Sequence, residues 1–158
     1  MKTGLGGYLN DHLAGAAAAL QLAERCRARA RDSSMGHMLH VLIGEIREDR
    51  DDLERVVRAL GGELNPLKPA SARGVELLAS LRMSLPIVGT GIPEASRLEE
   101  IEVLSVGIEG KRMMWGALAA LADPRLEPFD FATLQRRASE QRHRLNPWHL
   151  RLAAAAYG

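Results

Sequence analysis

The chain has 158 residues, of which 46% are hydrophobic and 26% charged, with a formal net charge of +1. This composition is typical of one globular domain spanning residues 1–158, with enough apolar residues to bury a core, and it excludes an intrinsically disordered chain. The near-zero charge gives no electrostatic support for binding nucleic acid, and the longest Ala/Leu run, residues 13–23, is too short to span a membrane.

Two long helices are predicted in the first half of the chain. Ala, Leu, Glu and Arg dominate, and no stretch alternates strictly as a half-buried strand would, so the sequence predicts an all-α fold. Apolar residues at helical spacing predict a first helix over residues 8–31. A second helix is predicted over residues 34–60, with Asp32 and Ser33 as N-cap candidates and Gly61 as its stop.

A short helix and two further long helices are predicted in the second half. The short helix covers residues 70–84 and ends at the stretch LPIVGTGIP. The next helix begins at Pro93 and runs to residue 122, with proline in its first turn. The last helix begins near Phe129, and Pro147 is expected to kink or briefly break it because proline cannot donate to the helical hydrogen-bond ladder. Four long amphipathic helices pack most simply as an antiparallel bundle.

The third long helix is apolar on two sides, which is typical of a helix at the centre of a bundle. One side carries Ile101, Leu104, Ile108 and Trp115, and the other carries Val103, Gly110, Met114 and Leu121. Glycine is unfavourable within a helix, so Gly107 and Gly110 predict a close approach of a neighbouring helix. Because this helix offers more apolar surface than the bundle easily hides, we expect a homodimer or a higher homo-oligomer.

A polar group is predicted inside the apolar core. Asp11 and His12 stand side by side near the start of the first helix, and His12 lies near the middle of its apolar face. On the second helix, Asp49 falls within the apolar stripe and Glu45 precedes it by one turn. A carboxylate on an apolar face must find a donor or lose its charge. We therefore expect His12 to be buried and hydrogen-bonded to Asp49, or else to Glu45.

A metal site is the alternative for these residues. In di-iron bundles, two helices each supply a Glu and the other two each supply a Glu-x-x-His motif. Glu140-x-x-His143 matches that spacing, but both residues point away from the apolar face of their helix. Glu102 and Glu109 could also face the arginines of a neighbouring helix or solvent. The candidate ligands for iron or manganese are His12, Glu45, Asp49, Glu102 and Glu109.

Catalysis by other routes finds little support in the sequence. No glycine-rich phosphate loop is present. Cys26 has no histidine that can be placed beside it, so a role as nucleophile is not supported. Because Cys26 is the single cysteine, the chain cannot form an internal disulfide. His37 and His40 lie opposite the apolar stripe of their helix and are expected to be solvated. No signal-peptide pattern is found at the start of the chain, so we expect a cytoplasmic protein. Because no catalytic motif is found either, we expect no catalytic residues.

Four segments carry a resemblance to a known family: YLNDHLAG, EIREDRDDL, LEEIEVLSVGIEGKRMMWGAL and RRASEQRHRL. With them the chain resembles an uncharacterised bacterial family of small helical proteins with ferritin-like organisation. The resemblance implies a four-helix core and no established chemistry. The first interpretation is therefore a non-enzymatic bundle whose polar core cluster fixes its packing. The alternative is a metal-binding bundle with an oxidoreductase or metal-storage role.

Overall fold

The computed structural model describes residues 3–31, 33–64 and 93–158, which contain four α-helices and one short 3-10 helix but no strand. The prediction of an all-α bundle is confirmed for these residues. The predicted helix over residues 70–84 and most of LPIVGTGIP lie outside them, as does Asp32. The helices are α1 (Thr3–Arg29), α2 (Ser34–Ala59), α3 (Pro93–Ala119) and α4 (Phe131–Tyr157), and the 3-10 helix is Pro124–Leu126.

Local signals mark both ends of α2. Ser33 is its N-cap, with an extended backbone and a side-chain oxygen that accepts a hydrogen bond from the Gly36 backbone N–H at 3.1 Å. Gly61 follows the helix with a φ of +70°, a conformation that glycine adopts without strain. Both residues act as predicted. At Gly36 a Cβ would lie 2.2 Å from the Ala30 carbonyl oxygen, so the tight α1–α2 connection requires glycine.

The second pair of helices differs from the prediction at Pro147 and, by two or three residues, at the end of α3 and the start of α4. α3 begins at Pro93 as expected. α4 continues past Pro147 as a single helix to Tyr157, so the brief break is wrong, whereas the kink stays a prediction. The buried side chains of Leu145 and Leu152 hold the parts of α4 on both sides of the proline against the core. Packing of this apolar face outweighs the hydrogen bond lost at Pro147.

The helices enclose two separate apolar clusters. The first apolar cluster comprises Leu20, Ala23, Cys26, Leu39, Leu42, Ile43, Ile46, Leu98, Ile101, Leu104, Ile108, Ala138, Leu145 and Leu152. The second apolar cluster comprises Leu9, Leu53, Val56, Val57, Leu60, Met114, Trp115, Leu118, Leu126, Phe131 and Leu134. All four helices contribute to both clusters. α1 packs against α2 and α3, and α4 packs against the same two helices.

Only one of the two apolar sides of α3 faces the core throughout. Its side with Ile101, Leu104, Ile108 and Trp115 is buried. On the other side Met114 is buried, whereas Leu121 is 42% exposed. A Cβ on Gly107 or Gly110 would meet nothing within 4 Å, so the expected close approach of a helix at these glycines is wrong for the described residues.

The described helices do not include one that could cross a membrane. None of them combines the length and hydropathy that a membrane span needs. This agrees with the expectation drawn from the short Ala/Leu run in α1.

Candidate functional site: a polar layer in the helical core

Two polar side chains lie buried in the described core. Asp49 of α2 is 2% exposed and Gln141 of α4 is 0% exposed. Along α2, Asp49 comes after Ile46 of the first apolar cluster and before Leu53 of the second. Asp49 therefore lies where the two clusters meet, and Gln141 lies on α4 between Ala138 and Leu145 of the first cluster. Their hydrogen bond, described below, makes them part of one layer of polar side chains in the core. The prediction that Asp49 lies on the buried face of its helix is confirmed.

Lys111 of α3 completes this layer. Its ammonium donates to the carboxylate of Asp49 and to Oε1 of Gln141 at 2.5 Å. The side-chain amide of Gln141 donates in turn to Oδ2 of Asp49 at 2.9 Å. Asp49, Lys111 and Gln141 thus form a closed triangle that joins α2, α3 and α4. Burial lowers the pKa of Lys111, and its ion pair with Asp49 opposes that effect.

Two arginines of α4 extend the layer toward the surface. Arg137 forms ion pairs with Asp49 and, at 2.6 Å, with Asp52. One further ion pair joins Arg144 to Glu45. Each of these carboxylates lies on α2, so the acidic face of α2 meets basic residues of α4. We call Glu45, Asp49, Asp52, Lys111, Arg137, Gln141 and Arg144 together the polar layer.

His12 does not take part in the polar layer. Its ring lies 4.7 Å from the ring of Tyr8, centroid to centroid, in an edge-on arrangement. Burial lowers the pKa of His12, and the nearby Asp11 carboxylate opposes that shift. The predicted hydrogen bond from His12 to Asp49 is wrong among the described residues, because Lys111, Gln141 and Arg137 surround that carboxylate. Glu45, the second choice, pairs with Arg144 instead.

The remaining candidate ligands lie on the α3–α4 surface. Glu102 contacts Nε2 of His149 at 3.0 Å. Glu109 accepts hydrogen bonds from Arg112 of its own helix and from Arg142 of α4, both at 2.6 Å, which confirms the alternative of arginine pairing. The pKa of Glu109 is lowered by its hydrogen bond to Arg112.

Each of the five predicted metal ligands contacts a side chain outside that set, and Glu102 contacts His149. His12 packs on Tyr8, and Glu45, Asp49 and Glu109 each pair with cationic side chains. Across residues 3–31, 33–64 and 93–158, no group of three or more His, Cys, Asp or Glu side chains is arranged to hold a metal ion. Four further residues were predicted to point away from the apolar faces of their helices, and all four are exposed: His37, His40, Glu140 and His143.

Cys26 is also held in an unreactive state. The thiol is buried and donates to Oε2 of Glu100 at 3.4 Å. Burial and the Glu100 carboxylate raise the pKa of Cys26 to about 12. A thiol that stays protonated at neutral pH is a poor nucleophile, in agreement with the sequence analysis.

Sequence reasoning missed Lys111, although a signal for it exists. The buried side of α3 repeats at spacings of four and three through Leu104, Ile108, Trp115 and Leu118. Lys111 occupies the remaining position of that repeat. A lysine at a core position is expected to meet a buried acid, and Asp49 is the only buried carboxylate among the described residues.

The chemistry of the polar layer follows from its charges. The Asp49 carboxylate accepts hydrogen bonds from Lys111 and Gln141 and forms an ion pair with Arg137. A carboxylate held in this way joins three helices, and its contacts are made by amide and cationic side chains. Comparison with models of protein families, with curated proteins and with solved structures finds no match for this chain.

Proposed function

We propose that this protein is a non-enzymatic helical bundle of ferritin-like organisation, in which the polar layer fixes how the helices pair. One observation carries the proposal: Asp49, 2% exposed, is bound by Lys111 and Gln141 and paired with Arg137. The Lys111 ammonium supplies, inside the bundle, the positive charge that a metal ion would supply in a metal-binding bundle.

The order in which each helix contacts the two apolar clusters supports an antiparallel, ferritin-like arrangement. Along the chain, α1 and α4 run from the second cluster to the first, whereas α2 and α3 run from the first to the second. Each helix therefore runs opposite to the two neighbours on which it packs. Two middle helices that share a direction are typical of a ferritin-like bundle, which has one long crossover connection.

The cost of a buried ion pair supports a role in packing specificity. Replacing such a pair with apolar residues is often neutral or stabilising, so the pair is weak evidence for stability itself. Its directional hydrogen bonds, in contrast, are satisfied in only one alignment of α2, α3 and α4. A slip of α3 by one turn would place Ile108 or Trp115 against Asp49 and leave its buried carboxylate without Lys111.

Elemental analysis of the purified protein tests the non-metal part of the proposal. We expect iron, manganese and zinc each at well below one ion per chain, also after incubation with the metal salts and desalting. A stoichiometric content of any of these metals would overturn the proposal in favour of the metal-binding alternative.

A triple variant tests the packing part of the proposal. Asp49→Leu, Lys111→Met and Gln141→Leu together replace the triangle with apolar side chains of similar size. We expect a helical protein whose amide NMR spectrum shows broadened or multiple signals, because several helix alignments become similar in energy. A triple variant with a single, well-dispersed set of signals would show that the polar layer does not specify the packing.

A further inference from the structure

The outward face of α3 carries an apolar stripe that is open to solvent. Val106 is 51% exposed and Met113 is 63% exposed. A Cβ on Gly107 or Gly110 would meet no atom of the described residues within 4 Å. We call this stripe the α3 seam; it contains no charged residue and consists of Val103, Val106, Gly110, Met113, Ala117 and Ala120.

The spacing of the α3 seam is that of a helix–helix contact. Its members follow one another at intervals of three, four, three, four and three residues. This is the heptad pattern of a coiled-coil seam, in which apolar side chains remain on one side of a helix over several turns. Apolar residues scattered singly over a surface have no such periodicity. The ligand that fits this face is therefore another helix.

We propose that α3 of a second copy of this chain packs on the α3 seam, antiparallel, about a two-fold axis between residues 111 and 112. In that arrangement Val103 faces Ala120, Val106 faces Ala117, and Met113 faces Gly110 of the other copy. Each larger side chain thus meets a small one, which allows close packing without a void. A parallel pair would instead place Met113 against Met113 and Gly110 against Gly110, leaving a gap at the glycines.

The size of the seam sets the strength of this association. From Val103 to Ala120 it is about 26 Å long at about 1.5 Å per residue, on a helix about 10 Å wide. Each copy thus contributes a projected contact area of roughly 260 Å², and protruding side chains increase the area that is buried. The two copies together contribute roughly 520 Å², which is below the roughly 1,000 Å² of stable specific interfaces and typical of a weak, transient contact. We expect a reversible dimer that dissociates on dilution.

Sedimentation equilibrium over a range of protein concentrations tests the proposal. The wild-type chain should pass from monomer to dimer, and Gly110→Glu should weaken the dimer by at least about tenfold because it places a charge opposite Met113 of the other copy. The matched control is Gly44→Glu, which adds the same charge to an exposed glycine of α2 whose Cβ would likewise meet no described atom within 4 Å. It should leave the dimer unchanged. Both variants replace a helical glycine, so neither is expected to lose its fold.

Cross-linking tests the direction of the two helices. In a Cys26→Ala background, chains with Val106→Cys and chains with Ala117→Cys are mixed and oxidised. We expect the mixed disulfide to exceed the disulfides within either population, because residue 106 faces residue 117 of the other copy. Cross-linking of each population mainly with itself would overturn the antiparallel arrangement.

Two results of the sedimentation experiment would overturn the proposal as a whole. The first is a monomer at every concentration, which would mean that solvent or residues 65–92 of the same chain cover the seam. The second is a dimer that Gly110→Glu leaves intact, which would place the interface on another face.

Discussion

The Lys111 ammonium of α3 donates to the Asp49 carboxylate of α2 across 62 residues of sequence, and it is the central contact of the polar layer. Both side chains are largely removed from water, at 15% and 2% exposure. An ion pair in this position is costly to break because the remaining charge stays buried and loses a counter-charge.

Removal of either partner should therefore destabilise the protein strongly. We expect Asp49→Ala to lower the free energy of unfolding by about 3–5 kcal/mol in urea denaturation. Lys111→Met should lower it by less, because Arg137 and Gln141 still contact Asp49. The double variant should lose much less than the sum of the two losses. As a control, His12→Ala combined with Asp49→Ala should give additive losses, because His12 packs on Tyr8 and not on Asp49. Additive losses for Lys111 and Asp49 would contradict the contact.

Two glycine substitutions of α2 should have opposite effects on stability. Gly44→Ala places a methyl group in open space and improves the helix propensity, so we expect a gain of about 0.5–1 kcal/mol. Gly36→Ala should be destabilising, since its Cβ would lie 2.2 Å from the Ala30 carbonyl oxygen. Thermal or urea denaturation of the two variants measures the difference. Equal effects would show that the α1–α2 connection is not as close as described.

The stability of the protein should fall in mild acid because of His12. Burial lowers the pKa of His12 below its usual 6.5, so the unfolded chain binds a proton that the folded chain resists. The free energy of unfolding should decrease as the pH falls from 6.5 through the folded pKa, below which the loss is complete. In urea melts between pH 5 and 7.5, His12→Gln should reduce this slope, whereas His40→Gln, at an exposed position, should not. An unchanged slope in His12→Gln would show that this histidine is solvated.

The rate at which the Cys26 thiol is labelled should report unfolding of the protein. The native thiol is 5% exposed, and its pKa is raised to about 12, so a disulfide reagent at pH 8 should react far more slowly than with the urea-unfolded chain. Glu100→Gln should speed the native reaction, since the Glu100 carboxylate helps to raise that pKa. Rapid labelling of the native wild type would contradict the described burial.

Sequence reasoning performed well where the signal is local. Ser33, Gly61 and Pro93 mark helix ends through their own backbone and side-chain chemistry, so their positions could be predicted without knowledge of the tertiary structure. The burial of Asp49 followed from the apolar periodicity of α2 in the same way.

The partners of Asp49 could not be obtained in this way. Lys111 and Gln141 lie 62 and 92 residues from it, and their contact depends on how far α3 and α4 slide along α2. Helix periodicity gives the buried face of each helix but not that alignment. The sequence points to His12 because it is the polar residue on the apolar face of the preceding helix. The prediction for Gly107 and Gly110 fails for a related reason, since glycine in a helix is compatible both with a close neighbour in the same chain and with an open face.

The division of the core has a consequence for fragments of the protein. The core is divided into two apolar clusters along the helix axes, and every helix supplies side chains to both clusters. Cleavage between α2 and α3 would therefore leave each pair of helices with only part of each apolar cluster. Neither pair contains a hydrophobic nucleus of its own, and cleavage there should yield two halves that become structured only when they are mixed.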